Sequence, residues 1–131
     1  MANLSEDQLA QLKQALQQRY LELQEDVRGE LERSGDQRYI DLAGKVGDVG
    51  DDSVADMLVD IDTAIVDRQV QEMRAIETSL KRLAALSFGD CADCGGEIGF
   101  DRLLAYPTAQ RCMPCQSQHE KTYQHESNPS L

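Results

Sequence analysis

Four cysteines carry the most legible chemistry in this sequence. They fall as Cys91-Ala-Asp-Cys94 and Cys112-Met-Pro-Cys115, a C-x2-C-x17-C-x2-C pattern. Two residues between cysteines let both sulfurs of a knuckle reach one tetrahedral ion at about 2.3 Å. A spacer of this length falls in the range of structural zinc sites. Gly95 and Gly96 follow the first pair, where backbone freedom can turn N–H groups towards the thiolates. Four thiolates leave no open coordination position, so one structural zinc ion is expected and hydrolytic chemistry is not. Two disulfides or a redox pair are the competing readings. A redox C-x-x-C opens a helix after a strand in a βαβ setting, and nothing here supplies that setting. His119 and His125 read as surface residues of a C-terminal helix rather than ligands. No nucleophile–base pair is visible, and no enzymatic activity is expected.

The second chemical feature is a concentration of aspartate. From Asp36 to Asp62 there are eight acids, all Asp, against Arg38 and Lys45, a net charge of −6. Aspartate suits turns and helix starts, so a solvated, capped hairpin turn is the plain reading. The alternative is a rigid arm presenting carboxylates at its tip, near residues 44–53, to a cationic or metal-containing cleft in a partner. Asp48, Asp51 and Asp52 lack the spacing and the bidentate Glu of a calcium loop.

Two long amphipathic segments must position these groups. Ser5 and Gln8 form a capping box, with Leu4 and Leu9 at hydrophobic-staple positions. The stripe Leu9, Leu12, Leu16, Tyr20, Leu23, Val27, Leu31 repeats over eleven residues, the period of a nearly straight helix. Ser34-Gly35 can end this helix, or Tyr39, Ile40, Leu42, Ala43 and Val46 can extend it. A second helix is expected from Asp51–Ser53 to about Leu86, with a stripe through Val54, Leu58, Ile61, Ile65, Gln69, Met73, Ile76, Leu80 and Leu83. Gln69 interrupts that seam as a register-fixing polar residue. The link between the segments holds Gly44, Gly47 and Gly50, which favours a chain reversal there. An antiparallel hairpin satisfies the pattern; a coiled-coil dimer remains open. Ile98, Phe100, Leu103 and Leu104 supply the apolar core between the knuckles.

The expected fold class is mainly α: a long antiparallel helical hairpin over residues 1–88, then a small four-cysteine finger with a C-terminal helix over 89–131. The composition narrows the function. The chain has 131 residues and a formal net charge of −11. That charge opposes binding to nucleic acid or anionic lipid through bulk attraction. The finger region holds Arg102, Arg111 and Lys121 against Asp93, Glu97, Asp101, Glu120 and Glu126, so direct sequence-specific DNA binding is not expected. Apolar runs do not exceed four residues, far from the roughly 20 of a membrane helix. The first residues show no signal-peptide pattern. A cytoplasmic monomer is the expectation.

The run from Phe88 to Gln116 resembles the four-cysteine finger of the DksA/TraR family. Gly89, both knuckles, Gly95, Glu97, Ile98, Arg102, Leu103, Ala105, Pro107, Thr108 and Ala109 fit its pattern, and a helical hairpin precedes it. The resemblance implies a transcription regulator that binds RNA polymerase and inserts its coiled-coil tip through the secondary channel to alter promoter-complex stability. An ungapped count places the family's tip pattern on Asp48, Asp51 and Ser53, with Ser53 in place of a small apolar residue. The same count puts one basic position of a guanosine tetraphosphate interface on Arg68. Two others fall on Ala75 and Gln116, where the charge is missing, so weak nucleotide synergy is expected. A zinc-stapled helical adaptor for another protein is the alternative function.

Overall fold

The computed structural model describes residues 4–48, 52–59, 64–85 and 87–127. Among these, six α-helices follow one another: α1 (Glu6–Arg33), α2 (Gln37–Ala43), α3 (Asp52–Val59), α4 (Ala64–Ala84), α5 (Phe100–Ala105) and α6 (Met113–Ser127). A 3-10 turn, Val46–Asp48, lies between α2 and α3.

The start of α1 follows its sequence. The Gln8 amide donates to Ser5 Oγ at 3.1 Å, and the Ser5 amide donates to Gln8 Oε1 at 3.0 Å. The reciprocal pair satisfies two amides that have no partner within the helix. Leu12, Leu16, Leu23, Val27 and Leu31 then bury one face. The helix stops where Ser34 Oγ turns back to the Leu31 carbonyl and Gly35 takes a φ of +73°. Asp36 restarts the chain as the N-cap of α2, accepting from the Arg38 amide at 2.9 Å. The Arg38 guanidinium and that amide hold the Asp36 carboxyl below its usual range.

This break corrects the expected position of the reversal. The chain already turns back at Ser34–Asp36, before the link at 44–53; residues 49–51 lie outside the described residues. A Cβ built on Gly47 would lie 3.9 Å from Gln24 Nε2, so the 3-10 turn sits beside the middle of α1. Along an uninterrupted helix those residues would be about 34 Å apart. The cause is apolar burial: Leu42, Ala43 and Val46 join the cluster formed by α1.

The second segment is divided into α3 and α4, and Ile61 lies outside the described residues. The antiparallel hairpin itself is present: α4 returns along α1, burying Val66, Val70, Met73 and Ile76. Its seam is shifted by one residue at the start relative to the expected stripe. Val66 and Val70 are buried, whereas Ile65 is 54% exposed and Gln69 only half-buried. Across the hairpin, Arg19 grips Glu72 through Nε and Nη2, the latter at 2.9 Å, and Tyr20 Oη donates to Glu77 at 2.6 Å. The carboxylate of Glu72 raises the Arg19 pKa. Both partners are exposed, so the pair sets register more than stability.

Met73 is fully buried at the centre of this seam. Met73→Ala is expected to lower the unfolding free energy by about 2–5 kcal/mol through lost burial and the cavity left behind. Urea denaturation followed by circular dichroism checks it.

Candidate metal centre and acidic segment

The finger is built from two knuckles that hydrogen-bond to each other. In the first, the Cys91 amide donates to the Gly96 carbonyl at 2.7 Å, and the Gly95 amide to the Cys91 carbonyl at 3.0 Å. Gly95 reaches this turn with a φ of +73°, a conformation that glycine adopts at little cost. The turn aims the Gly96 N–H at Cys94 Sγ, 3.4 Å away. The second knuckle opens α6, where the Gln116 amide donates to the Cys112 carbonyl and Cys115 lies in the first turn. The Ala92 amide donates to the Gln110 carbonyl, and the Arg111 guanidinium meets Asp93 at 3.0 Å, so each knuckle is tied to the other.

These ties bring Cys91, Cys94, Cys112 and Cys115 together. Their sulfurs all lie within 4.8 Å of one another, and Cys94 and Cys112 are 3.9 Å apart. A tetrahedron with metal–sulfur bonds of about 2.3 Å has edges of about 3.8 Å. The donor set and its spacing therefore fit one zinc ion, and all four predicted ligands converge. His119 does not belong to the cluster, and the His125 side chain lies outside the described residues.

The thiols are not equivalent. Burial pushes the Cys91 thiol up, but N–H groups of Cys94, Cys112 and Asp93 aim at its sulfur and bring it down to about 6. Cys115 is pushed up to about 12, because it shares its proton with the sulfurs of Cys112, Cys91 and Cys94. Four neighbouring thiolates require a compensating cation, and zinc supplies it.

A small apolar core supports the knuckles. Ile98 and Leu103 are buried as expected, whereas Leu104 is 45% exposed. Phe88 is the largest fully buried side chain among the described residues and was not among the expected core residues. Its place just before Gly89 and the first knuckle was the available signal. Arg82, near the end of α4, donates through one nitrogen to the carbonyls of both Ser87 and Asp90. It thereby fastens the first knuckle to the hairpin. Between hairpin and finger lies a groove of about 280 Å³, walled by Leu16, Arg19, Glu72, Ile76 and Tyr106 among others.

The structure does not gather the other predicted positions into this centre. The backbone of Asp48 ends the 3-10 turn beside α1. Asp51 lies outside the described residues, as do Asp60 and Asp62. Ser53 is exposed in the first turn of α3, and Arg68 is exposed on α4. Ala75 and Gln116 are half-buried, and Gln116 donates to Glu120.

Residues 86–121 match the family described as the prokaryotic dksA/traR C4-type zinc finger. Over these residues the chain is similar to the zinc finger of the DksA/TraR family. Over 51 residues it is 47% identical to the RNA polymerase-binding transcription factor DksA of Haemophilus influenzae, a match covering 39% of this chain and 35% of that protein. The Escherichia coli K12 protein of the same name is 43% identical over 51 residues, or 34% of its length. The matched segment thus spans about a third of these curated relatives. The similarity to a solved structure, transcription factor DksA2 from Pseudomonas aeruginosa, is broader. It has a TM-score of 0.62 and 28% identity, covering 92% of this chain and 89% of that one. Among the described residues no helix is long and apolar enough to cross a membrane.

Zinc affinity is expected to fall as pH decreases, because binding requires thiolates and acid returns their protons. The loss begins on the alkaline side, where Cys115 is hardest to ionise, and deepens below about 6, where Cys91 also protonates. Competition with a chromophoric chelator between pH 8 and pH 5.5 checks the direction. Cys112→Ser is expected to weaken binding by more than about tenfold, the lower bound set by losses of mere outer partners.

Proposed function

We propose that this protein is a transcription regulator that binds RNA polymerase and acts without enzymatic activity of its own. The observation that carries the reading is a DksA/TraR finger fastened to the end of a helical hairpin whose overall shape matches DksA2. Relatives with this finger are named as RNA polymerase-binding transcription factors. In this reading the hairpin enters the secondary channel of the polymerase. The aspartates Asp48 and Asp51, followed by Ser53, alter promoter-complex stability through their charge near the catalytic centre. The site of action is the cytoplasm, and the working form is a monomer. The overall charge of −11 keeps the protein off DNA itself, so its specificity lies in the polymerase.

The nucleotide response is weak in this reading. A tetraphosphate needs several cationic partners. Arg68 is exposed and supplies one, but Ala75 and Gln116 supply none.

The position of the 3-10 turn beside Gln24 favours a second reading, in which the aspartates are only caps and the chain is an adaptor for another protein. One experiment separates the two. Fluorescence anisotropy of the zinc-loaded protein with polymerase core is expected to show micromolar or tighter binding. Asp48→Asn/Asp51→Asn is expected to bind within about threefold of the parent yet lose most of its effect on promoter-complex lifetime. Absence of binding by a protein with an intact helical spectrum overturns the regulator reading in favour of the adaptor.

A further inference from the structure

The segment that folds back against α1 fits a second arrangement equally well by sequence. Leu9, Tyr20, Leu31 and Leu42 recur every eleven residues, so Leu42 lies on the straight continuation of the α1 stripe. Val46 follows one turn later. The backbone between α1 and α2 leaves the helical region at only two residues. Ser34 is still helical, with φ −65° and ψ −27°. Gly35 has φ +73°, and Asp36 has φ −91° and ψ 124°. Gly44, after α2, is helical again. No proline occurs before Pro107, so nothing covalent forbids a continuous helix here.

The returning arm carries the complementary signs. The stripe expected for one straight helix runs through Val54, Leu58, Ile65 and Gln69. In the folded-back form Ile65 on this stripe is 54% exposed. Gln69 Oε1 is buried without a hydrogen-bond partner among the described residues. The present packing leaves one apolar and one polar group of the same stripe poorly served.

We propose that the arm has two states, and that the form described above is the closed one. Rotation at Gly35 and Asp36 fuses α1 and α2 into a single helix and swings Asp48 outward. Fourteen residues separate Ser34 from Asp48, so the acidic segment then stands about 21 Å beyond the present end of α1. Closing is held by the burial of Leu42, Ala43 and Val46 against α1 and by the Asp36 cap. A partner opens the arm only by binding the open state more tightly than the closed one. RNA polymerase as that partner rests on the function proposed above; the two states themselves do not.

The test is a distance measured by pulsed electron paramagnetic resonance in the zinc-loaded full chain. Nitroxides are placed through noncanonical residues at Gln17 and Lys45, both exposed. A continuous helix separates these positions by about 42 Å, whereas folding back brings them within about 20 Å. The parent protein is expected to show the short distance when free and the long one when bound to polymerase core. Gly35→Ala meets no atom within 4 Å but disfavours the positive φ, and it is expected to populate the long distance without any partner. Asp36→Ala, which removes the cap of α2, is expected to shift the same way and serves as the second variant.

If both variants keep the short distance, the two-state arm is wrong. If the polymerase complex forms and the short distance persists in it, opening by polymerase is wrong while the polymerase reading stands. If polymerase does not bind, the function proposed above fails, and the distances in the two free variants still decide the arm.

Discussion

Four sulfurs within 4.8 Å of one another define the constraint on which the C-terminal third of the chain depends. Thiolates at such distances repel unless a cation sits among them. The residues around them cannot bury enough apolar surface to replace that cation. Phe88, Ile98, Leu103 and Ala109 are the buried apolar side chains of this region besides Cys91 among the described residues. A core this small does not hold a module of about 40 residues. The metal therefore acts as the tertiary structure of the finger. The Asp93–Arg111 pair, the Ala92–Gln110 hydrogen bond and the first turn of α6 are arranged around its ligands.

The hairpin depends on a different balance, between apolar burial along α1 and local backbone signals. The apolar face of α1 is long enough to receive both the returning α4 and the shorter α2. Each claims part of the stripe. The exposed Ile65 and the orphaned oxygen of Gln69 are what this division leaves behind. The ion pair Arg19–Glu72 and the Tyr20–Glu77 hydrogen bond lie nearer the finger, where α4 faces α1 and the packing matches the sequence pattern more closely.

The parts legible in the sequence were those fixed by local, typed chemistry. The zinc ligands follow from cysteine spacing alone, and the start of α1 follows from Ser5 and Gln8. The start of the α4 seam was not legible for a simple reason. Ile65 and Val66 are both apolar neighbours, and a helix rotates by about 100° between them, so only the opposing surface decides which one is buried. The early reversal was hidden similarly. Ser34-Gly35 was a visible stop signal, but the eleven-residue repeat ran through it to Leu42. Choosing between them requires a contact more than twenty positions away in sequence, that of Gly47 beside Gln24. Phe88 escaped because a single aromatic beside a knuckle has no periodicity to announce it.

The two carbonyls held by Arg82 have a mechanical consequence. They form a joint between a compact head and a stiff rod. A helix of 21 residues is about 32 Å long, so a tilt of 10° at that joint displaces its far end by about 5 Å. Any object gripping the head thus aims the rod, with a precision set by this joint together with the packing of α5 against α1. Angular tolerance at this junction becomes a positional tolerance, several ångströms wide, at the far end of the rod.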